Sequence, residues 1–476
     1  MTKPIALFLT ALVLLSETAV AQKTKQDVIK SIDTKYDLYS ATAKKIWDFA
    51  EVGFQENQST ALLQQTLKDA GFMVQNNVAG MPTAFTATYG SGKPVIGILG
   101  EFDALPGVSQ EAVPELKPIP TKGAGHACGH HLFGVASAAA AIAVKEWLIA
   151  NKKTGTIRFY GTPAEEGGSG KVYMVRDGLF KDVDVVIHWH PGASNSAGWG
   201  ASLSNKSGKF RFYGIASHAA ASPERGRSAL DGVEAMDNMV NMLREHVSDA
   251  TRIHYVITRG GEAPNVVPAF AEAYYYVRHP KPTEVKSTWE RVVRAAEGAA
   301  LGTDTKMKYE VTGGVYNMLS SESLAKVMDA NLRTVGGFVY TAEERAFGMK
   351  IQQTFTDNIP KLESSNEIAP LGENESGGST DVADISWIVP TAGLRVATWV
   401  PGTAAHSWQA VAAGGTSIGF KGMMVAAKTL ALTAVDLYNS PVVIEEAWKE
   451  LRKKTGENFK YEALLGDRPP ALDYRK

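Results

Sequence analysis

Three of the ten histidines in this 476-residue chain, His126, His130 and His131, fall within six positions, with the single cysteine among them. The segment reads Gly125-His126-Ala127-Cys128-Gly129-His130-His131. Cys128 and His130 are two residues apart, so a turn could aim both at one ion. Imidazole and thiolate together suit zinc-like borderline metals. The competing reading is a buried turn in which Cys128 is simply a small apolar side chain. A second pair, Glu165-Glu166, sits between Gly161-Thr162-Pro163 and Gly167-Gly168. Adjacent carboxylates are ordinarily solvated, but in such a loop one can bind a cation while the other handles protons. His188-Trp189-His190 offers two imidazoles on one face if extended, or one ligand and one core histidine. His406 closes a further polar loop.

Three other matches fail on their own chemistry. Gly167 to Lys171 looks like a phosphate loop, yet Val172 follows the lysine and Glu165 stands where the first glycine belongs. Gly415-Thr416-Ser417-Ile418-Gly419 fits the G-x-S-x-G elbow, but no histidine follows Ser417 to complete a triad. It reads as the entry to a helix. No H-E-x-x-H helix occurs.

The elements that must position these residues repeat one pattern. Apolar runs at 94–99, 156–160, 183–187 and 393–399 each lead into a polar loop. Short apolar runs bounded by Gly and Pro are what strands buried on both faces look like. Helical stretches at 134–150 and 420–438 point to an α/β fold with a mostly parallel sheet. Sites in such sheets lie beyond the strands' C-terminal ends, so the four loops are expected on one rim.

The middle of the chain follows another grammar. Strands at 209–216, 252–258, 269–277 and 307–312, with helices at 228–247 and 283–299, give a ferredoxin-like β-α-β-β-α-β order. Residues 205–316 are therefore expected as a unit inserted between 22–204 and 317–476, with 356–380 a long loop.

Hydrophobic residues are 44% and charged residues 21%, which excludes disorder and collagen. A net charge of −1 leaves no global field for nucleic acid or an anionic membrane. Residues 1–21 have Lys3, an apolar centre and an Ala19-Val20-Ala21 end, the pattern of a signal peptide cleaved after Ala21. No later run reaches the roughly 18 apolar residues of a membrane span. An exported protein, periplasmic or secreted, is expected, and with one cysteine it has no intrachain disulfide.

Taken together, G-E-F-D-A-L-P-G (100–107), G-H-A-C-G-H-H (125–131), G-T-P-A-E-E-G-G (161–168), H-W-H-P (188–191) and H-A-A-A-S-P (218–223) resemble the M20 metallopeptidase family, in its amidohydrolase branch. The resemblance covers the whole mature chain, and Gly377 to Val382 strengthens it. It implies two divalent ions, zinc or manganese, held by Cys128, His130, Glu166, His190 and His406. Glu165 would be the general base. His218 would reach the reacting carbonyl, while Asn265 and Arg278 would hold a substrate carboxylate. The inserted unit would serve as a lid and build a homodimer. The implied reaction is hydrolysis of N-acyl amino acids, aminobenzoyl-glutamate foremost. A dipeptidase or carboxypeptidase is the alternative enzyme, and a non-catalytic acyl-amino-acid binder the alternative of another kind. One departure stands out: many relatives carry Asp where this chain has His131.

Overall fold

In the computed structural model, which describes residues 24–356, 359–373 and 378–475, the four apolar runs become neighbours. Gly155–Gly161, Val95–Gly100, Val185–Gly192 and Thr391–Ala397 lie side by side in that order, all parallel. Every residue of Val95–Gly100 is buried, as a central strand covered on both faces requires. Phe85–Ser91 and Met73–Asn76 extend one edge antiparallel, and Ser196–Gly198 extends the other. The fold is thus mixed α/β around a mostly parallel sheet. The proposed signal segment lies outside the described residues.

Two sequence expectations about the site elements are corrected. The first long helix is His130–Ala150, not 134–150, so His130 and His131 form its first turn. Gly134 had suggested a boundary. Instead it sits mid-turn against the sheet, where a Cβ would come 2.8 Å from the Glu101 carbonyl oxygen. The strand expected at 183–187 runs on to Gly192, so His188 to Pro191 are strand residues rather than a loop. Pairing with Val95–Gly100 stops at Ile187, but pairing with Thr391–Ala397 continues to the end. That second partner is remote in sequence, so the local pattern could not reveal the extension.

The helices His130–Ala150 and Ser417–Asn439 pack against each other within the core. By length and composition both could cross a membrane, contrary to the sequence expectation that no such run existed. In the fold 83% of each apolar window is buried within the protein, which accounts for their apolar character.

Ser204–Tyr213, Arg252–Arg259, Phe270–His279 and Lys306–Val315 form a separate antiparallel sheet. The helices Ala229–Leu243 and Pro282–Gly302 pack on it around Phe210, Phe212, Tyr275 and Trp289. Within 356–380 the described residues include a 3-10 turn, Leu362–Asn366, whose Leu362 is buried.

Beyond this sheet, the Tyr316 N–H and the Tyr461 hydroxyl donate to Asp384 at 3.0 and 2.6 Å. Burial nevertheless pushes the Asp384 carboxyl up to about 7. A raised carboxyl contributes stability that is complete below its unfolded pKa of about 3.9 and is lost as pH rises through the folded value. Asp384→Asn, which cannot ionise, is therefore expected to lose less Tm than the unaltered protein between about pH 5 and 8.5. Thermal melts at the two pH values check this. Parallel shifts in both proteins would contradict it.

Candidate metal centre

The C-terminal ends of the parallel strands converge on one rim. Val95–Gly100 delivers Glu101 and Asp103, and Gly155–Gly161 leads to Glu165 and Glu166. Val185–Gly192 carries His190, and the chain after Thr391–Ala397 brings His406, whose φ is 61°. Cys128 lies just before the helix that His130 opens. Between them Gly129 has φ 78°, and a Cβ there would lie 2.6 Å from Pro191 Cβ. That close approach brings the cysteine against the His190 strand.

Cys128 Sγ lies 3.4 Å from His190 Nε2. His190 Nδ1 is 2.7 Å from the Pro191 carbonyl, to which it donates, so the Nε2 lone pair is the one turned to Cys128. His130 Nδ1 lies 2.9 Å from Asp103 Oδ1, the carboxylate–imidazole pairing that orients a metal-binding histidine. Asp103 Oδ2 accepts the Glu166 N–H at 2.9 Å, so one carboxylate anchors both elements. His406 Nε2 and Glu166 Oε1 are 3.2 Å apart.

Donor atoms of Cys128, His130 and His190 lie within 4.8 Å of one another, as do those of Cys128, Glu166 and His406. Cys128 belongs to both groups. Ligands about 2.0–2.3 Å from a common ion are about 3–3.7 Å apart, and the 3.4 Å Cys128–His190 and 3.2 Å Glu166–His406 separations fall in that range.

The electrostatics favour cations here. Burial pushes the Cys128 thiol up to about 12, so without an ion it remains protonated. Burial, then Glu101 and Glu166, hold Glu165 well above the usual carboxylate range. Burial opposes charge on His130, but Cys128, Glu101 and Asp103 outweigh it and raise its pKa. Glu101 Oε2, His130 Nε2 and Glu166 Oε1 are buried without a hydrogen bond. Buried polar atoms that make no hydrogen bond are costly, and divalent ions would satisfy all three.

The remaining expected residues separate clearly. His188 is half-buried, has its pKa pushed down to about 4 by desolvation, and joins none of these donor groups. His131 donates from Nε2 to the Gly414 carbonyl at 2.9 Å and packs on His126 with 4.8 Å between ring centres. It therefore faces away from the donor groups.

His218, Asn265 and Arg278 lie in the stretch that carries the four-stranded antiparallel sheet. His218 Nδ1 accepts the Ala220 and Ala221 N–H groups at 3.2 and 3.0 Å, which leaves the ring proton on Nε2. The Asn265 carbonyl accepts the Ala219 N–H at 3.0 Å, so His218 and Asn265 share one loop cluster. Arg278 lies over Tyr276 and comes within 3.4 Å of Ser379 Oγ. Among the described residues, these side chains make no hydrogen bond to the Cys128 groups.

Sequence reasoning missed three supporting residues. Lys171, weighed only as a phosphate-loop lysine, is buried between Glu101 and Asp381 at 2.7 Å from each. Tyr474 and Arg475 donate to the Glu166 carbonyl at 3.0 and 2.9 Å. The motif E-F-D was a signal for Asp103; nothing local marked Tyr474 or Arg475.

Residues 97–410 match the model of peptidase family M20/M25/M40. The chain is 41% identical over 461 residues to a component of the p-aminobenzoyl-glutamate hydrolase of Escherichia coli, covering 90% of this chain and 96% of that protein. It is 29% identical to the Xaa-Arg dipeptidase of Mus musculus, covering 93% and 95% respectively. A dinuclear metal-binding M20 peptidase of Bacillus subtilis shares the fold, with TM-score 0.58, 18% identity and coverage of 86% and 99%. The motifs, the shared donor groups and this likeness along nearly the whole length place the chain in peptidase family M20/M25/M40, as a hydrolase.

Proposed function

We propose that this protein hydrolyses the amide bond of N-acyl amino acids with two divalent ions, and that aminobenzoyl-glutamate is its leading substrate. The observation that carries the reading is the pair of donor groups sharing Cys128 beside Glu165. The 41% identity to the E. coli hydrolase component supports the substrate. Cys128, His130 and His190 would hold one ion, and Cys128, Glu166 and His406 the other. Zinc suits the thiolate; manganese is the alternative. Bound there, such ions would lower the pKa of a water and polarise the substrate carbonyl.

Glu165 takes the proton from the attacking water and delivers it to the leaving nitrogen. His218 donates a hydrogen bond from Nε2 to the carbonyl oxygen as it gains negative charge, when the inserted unit closes as a lid. Asn265 and Arg278 hold the carboxylate of the amino-acid half, Arg278 through a charge-assisted pair. Arg278→Ala is expected to raise KM for carboxylated substrates by about tenfold or more, and to leave the corresponding amides nearly unchanged. Steady-state kinetics on both series check this; an equal rise in both removes Arg278 from the site.

The 29% identity to an Xaa-Arg dipeptidase favours a second reading, cleavage of dipeptides. Aminobenzoyl-glutamate, other aromatic acyl amino acids and dipeptides, assayed side by side on metal-loaded protein, separate the two. Absence of turnover on every substrate, with metal bound, would favour a binding protein instead.

The inserted unit, 205–316, is also proposed as the homodimer interface. Its edge strand Arg252–Arg259 leaves Val256 and Ile257 exposed, which supports pairing with a second copy. The E. coli relative is one of two different components that carry the hydrolase name, so an unlike chain is the alternative partner. Sedimentation of the protein alone discriminates these. Export rests on the composition of residues 1–21.

A further inference from the structure

We infer that the segment 468–475 is a strap that positions the Glu165–Glu166 loop, with Tyr474 and Arg475 as positioning residues; the inference rests on the roles proposed above for those two glutamates. The Tyr474 hydroxyl and Arg475 Nη2 converge on one atom, the Glu166 carbonyl oxygen, at 3.0 and 2.9 Å. A carbonyl oxygen has two lone pairs, so this acceptor is fully engaged. On the other side of the residue, Asp103 Oδ2 accepts the Glu166 N–H at 2.9 Å. Both peptide planes flanking Glu166 are thereby held. They set the direction in which its carboxylate leaves the chain, towards His406 Nε2 at 3.2 Å. The loop needs such holding. Ala164 has φ 56°, a left-handed conformation that a residue with a Cβ keeps only where its surroundings over-determine it. Glu56 Oε1 accepts the Ala164 N–H at 2.9 Å, and the strap supplies the fixation at the other end of the loop.

The strap is itself anchored along its length. Arg468 donates to the Val311 carbonyl and, through Nη2, to Glu310 Oε1 at 3.2 Å. Arg176, on the helix Gly170–Arg176 that follows the loop, donates to the Arg468 carbonyl at 2.8 Å. Pro469 and Pro470 then stiffen the run, since each ring fixes its own φ. Gln55 Nε2 donates to the Leu472 carbonyl at 2.9 Å. The Tyr474 ring meets Phe54 edge to face, with 5.6 Å between ring centres. The rival account makes the segment only a cover for apolar surface. Cover explains the Tyr474 ring on Phe54, but not two donors aimed at the Glu166 carbonyl.

The test reads kcat, KM and metal together on the full chain, at a temperature well below each variant's Tm. Tyr474→Phe keeps the ring on Phe54 and removes one donor; Arg475→Ala removes the other. Ions retained per chain are measured after dialysis against graded chelator. The double variant is expected to lower kcat on aminobenzoyl-glutamate by about tenfold or more and to change KM by less than about threefold, since a misplacement of about 1 Å can cost about 100-fold in rate. The ion assigned to Glu166 and His406 should be held about tenfold more weakly, the low end for losing a group that orients a ligand. Each single variant should fall between, and Arg475→Lys, which can still donate, should keep more activity and metal than Arg475→Ala. A lower Tm with kcat and metal retention unchanged would make the segment a cover only, and the inference fails while the two-ion reading stands. A raised KM with kcat and metal kept also overturns it, because the segment would then act on the substrate. An unaltered protein that retains no ion overturns both.

Discussion

Glu165→Gln is expected to leave both ions bound and to lower kcat by about 10²–10⁴-fold, the range that a positioned proton-transfer group contributes. The amide keeps the shape of the side chain but cannot accept the water's proton. Glu165 shares a 4.8 Å donor group with Glu101 and His130, yet it belongs to neither group built on Cys128. Its neighbour differs in kind. Glu166 Oε1 lies 3.2 Å from His406 Nε2 and has no hydrogen bond of its own. Glu166→Gln should therefore lose metal first and activity as a consequence. Metal content and kcat measured on the same preparations separate the two roles, and equal metal loss in both variants would refute the division.

Cys128→Ser should weaken metal binding by more than about 100-fold, beyond the 10–100-fold typical of losing a group that only orients a ligand. One atom of Cys128 serves both donor groups, so both ions are affected. The pH dependence carries a sign. Burial pushes the ion-free thiol up to about 12, so an ion must displace its proton across the working range. Affinity should therefore rise with pH in the unaltered protein. That dependence should flatten in Cys128→Ser, whose hydroxyl does not become an anion there. Titrations at several pH values, read by metal content, check this. If Cys128 were only a small buried side chain, the serine variant would lose Tm and keep its metal.

How much was legible beforehand depended on whether the information was local. The runs 94–99 and 156–160 are short, apolar and bounded by turn residues, and both became central parallel strands within a residue or two. The β-α-β-β-α-β order was readable from alternating periodicities, because each element's pattern lies within its own few residues. The helix start at His130 and the length of the His190 strand were misread. Gly134 answers to a carbonyl on another element, and the His190 strand is extended by a partner some two hundred residues away.

The sequence by itself determined the class of fold and the donor types, since thiolate, imidazole and carboxylate chemistry belongs to the residues themselves. Only the tertiary structure decided which donors meet. It separated His190 from His188, turned His131 away to the Gly414 carbonyl, and set Cys128 in both groups. It also buried Lys171 between Glu101 and Asp381 and brought Tyr474 onto the Glu166 loop. The physical reason is that coordination and ion pairing depend on separations of a few ångströms between atoms from different strands. Those separations are fixed by sheet order and packing, which no local window of sequence contains.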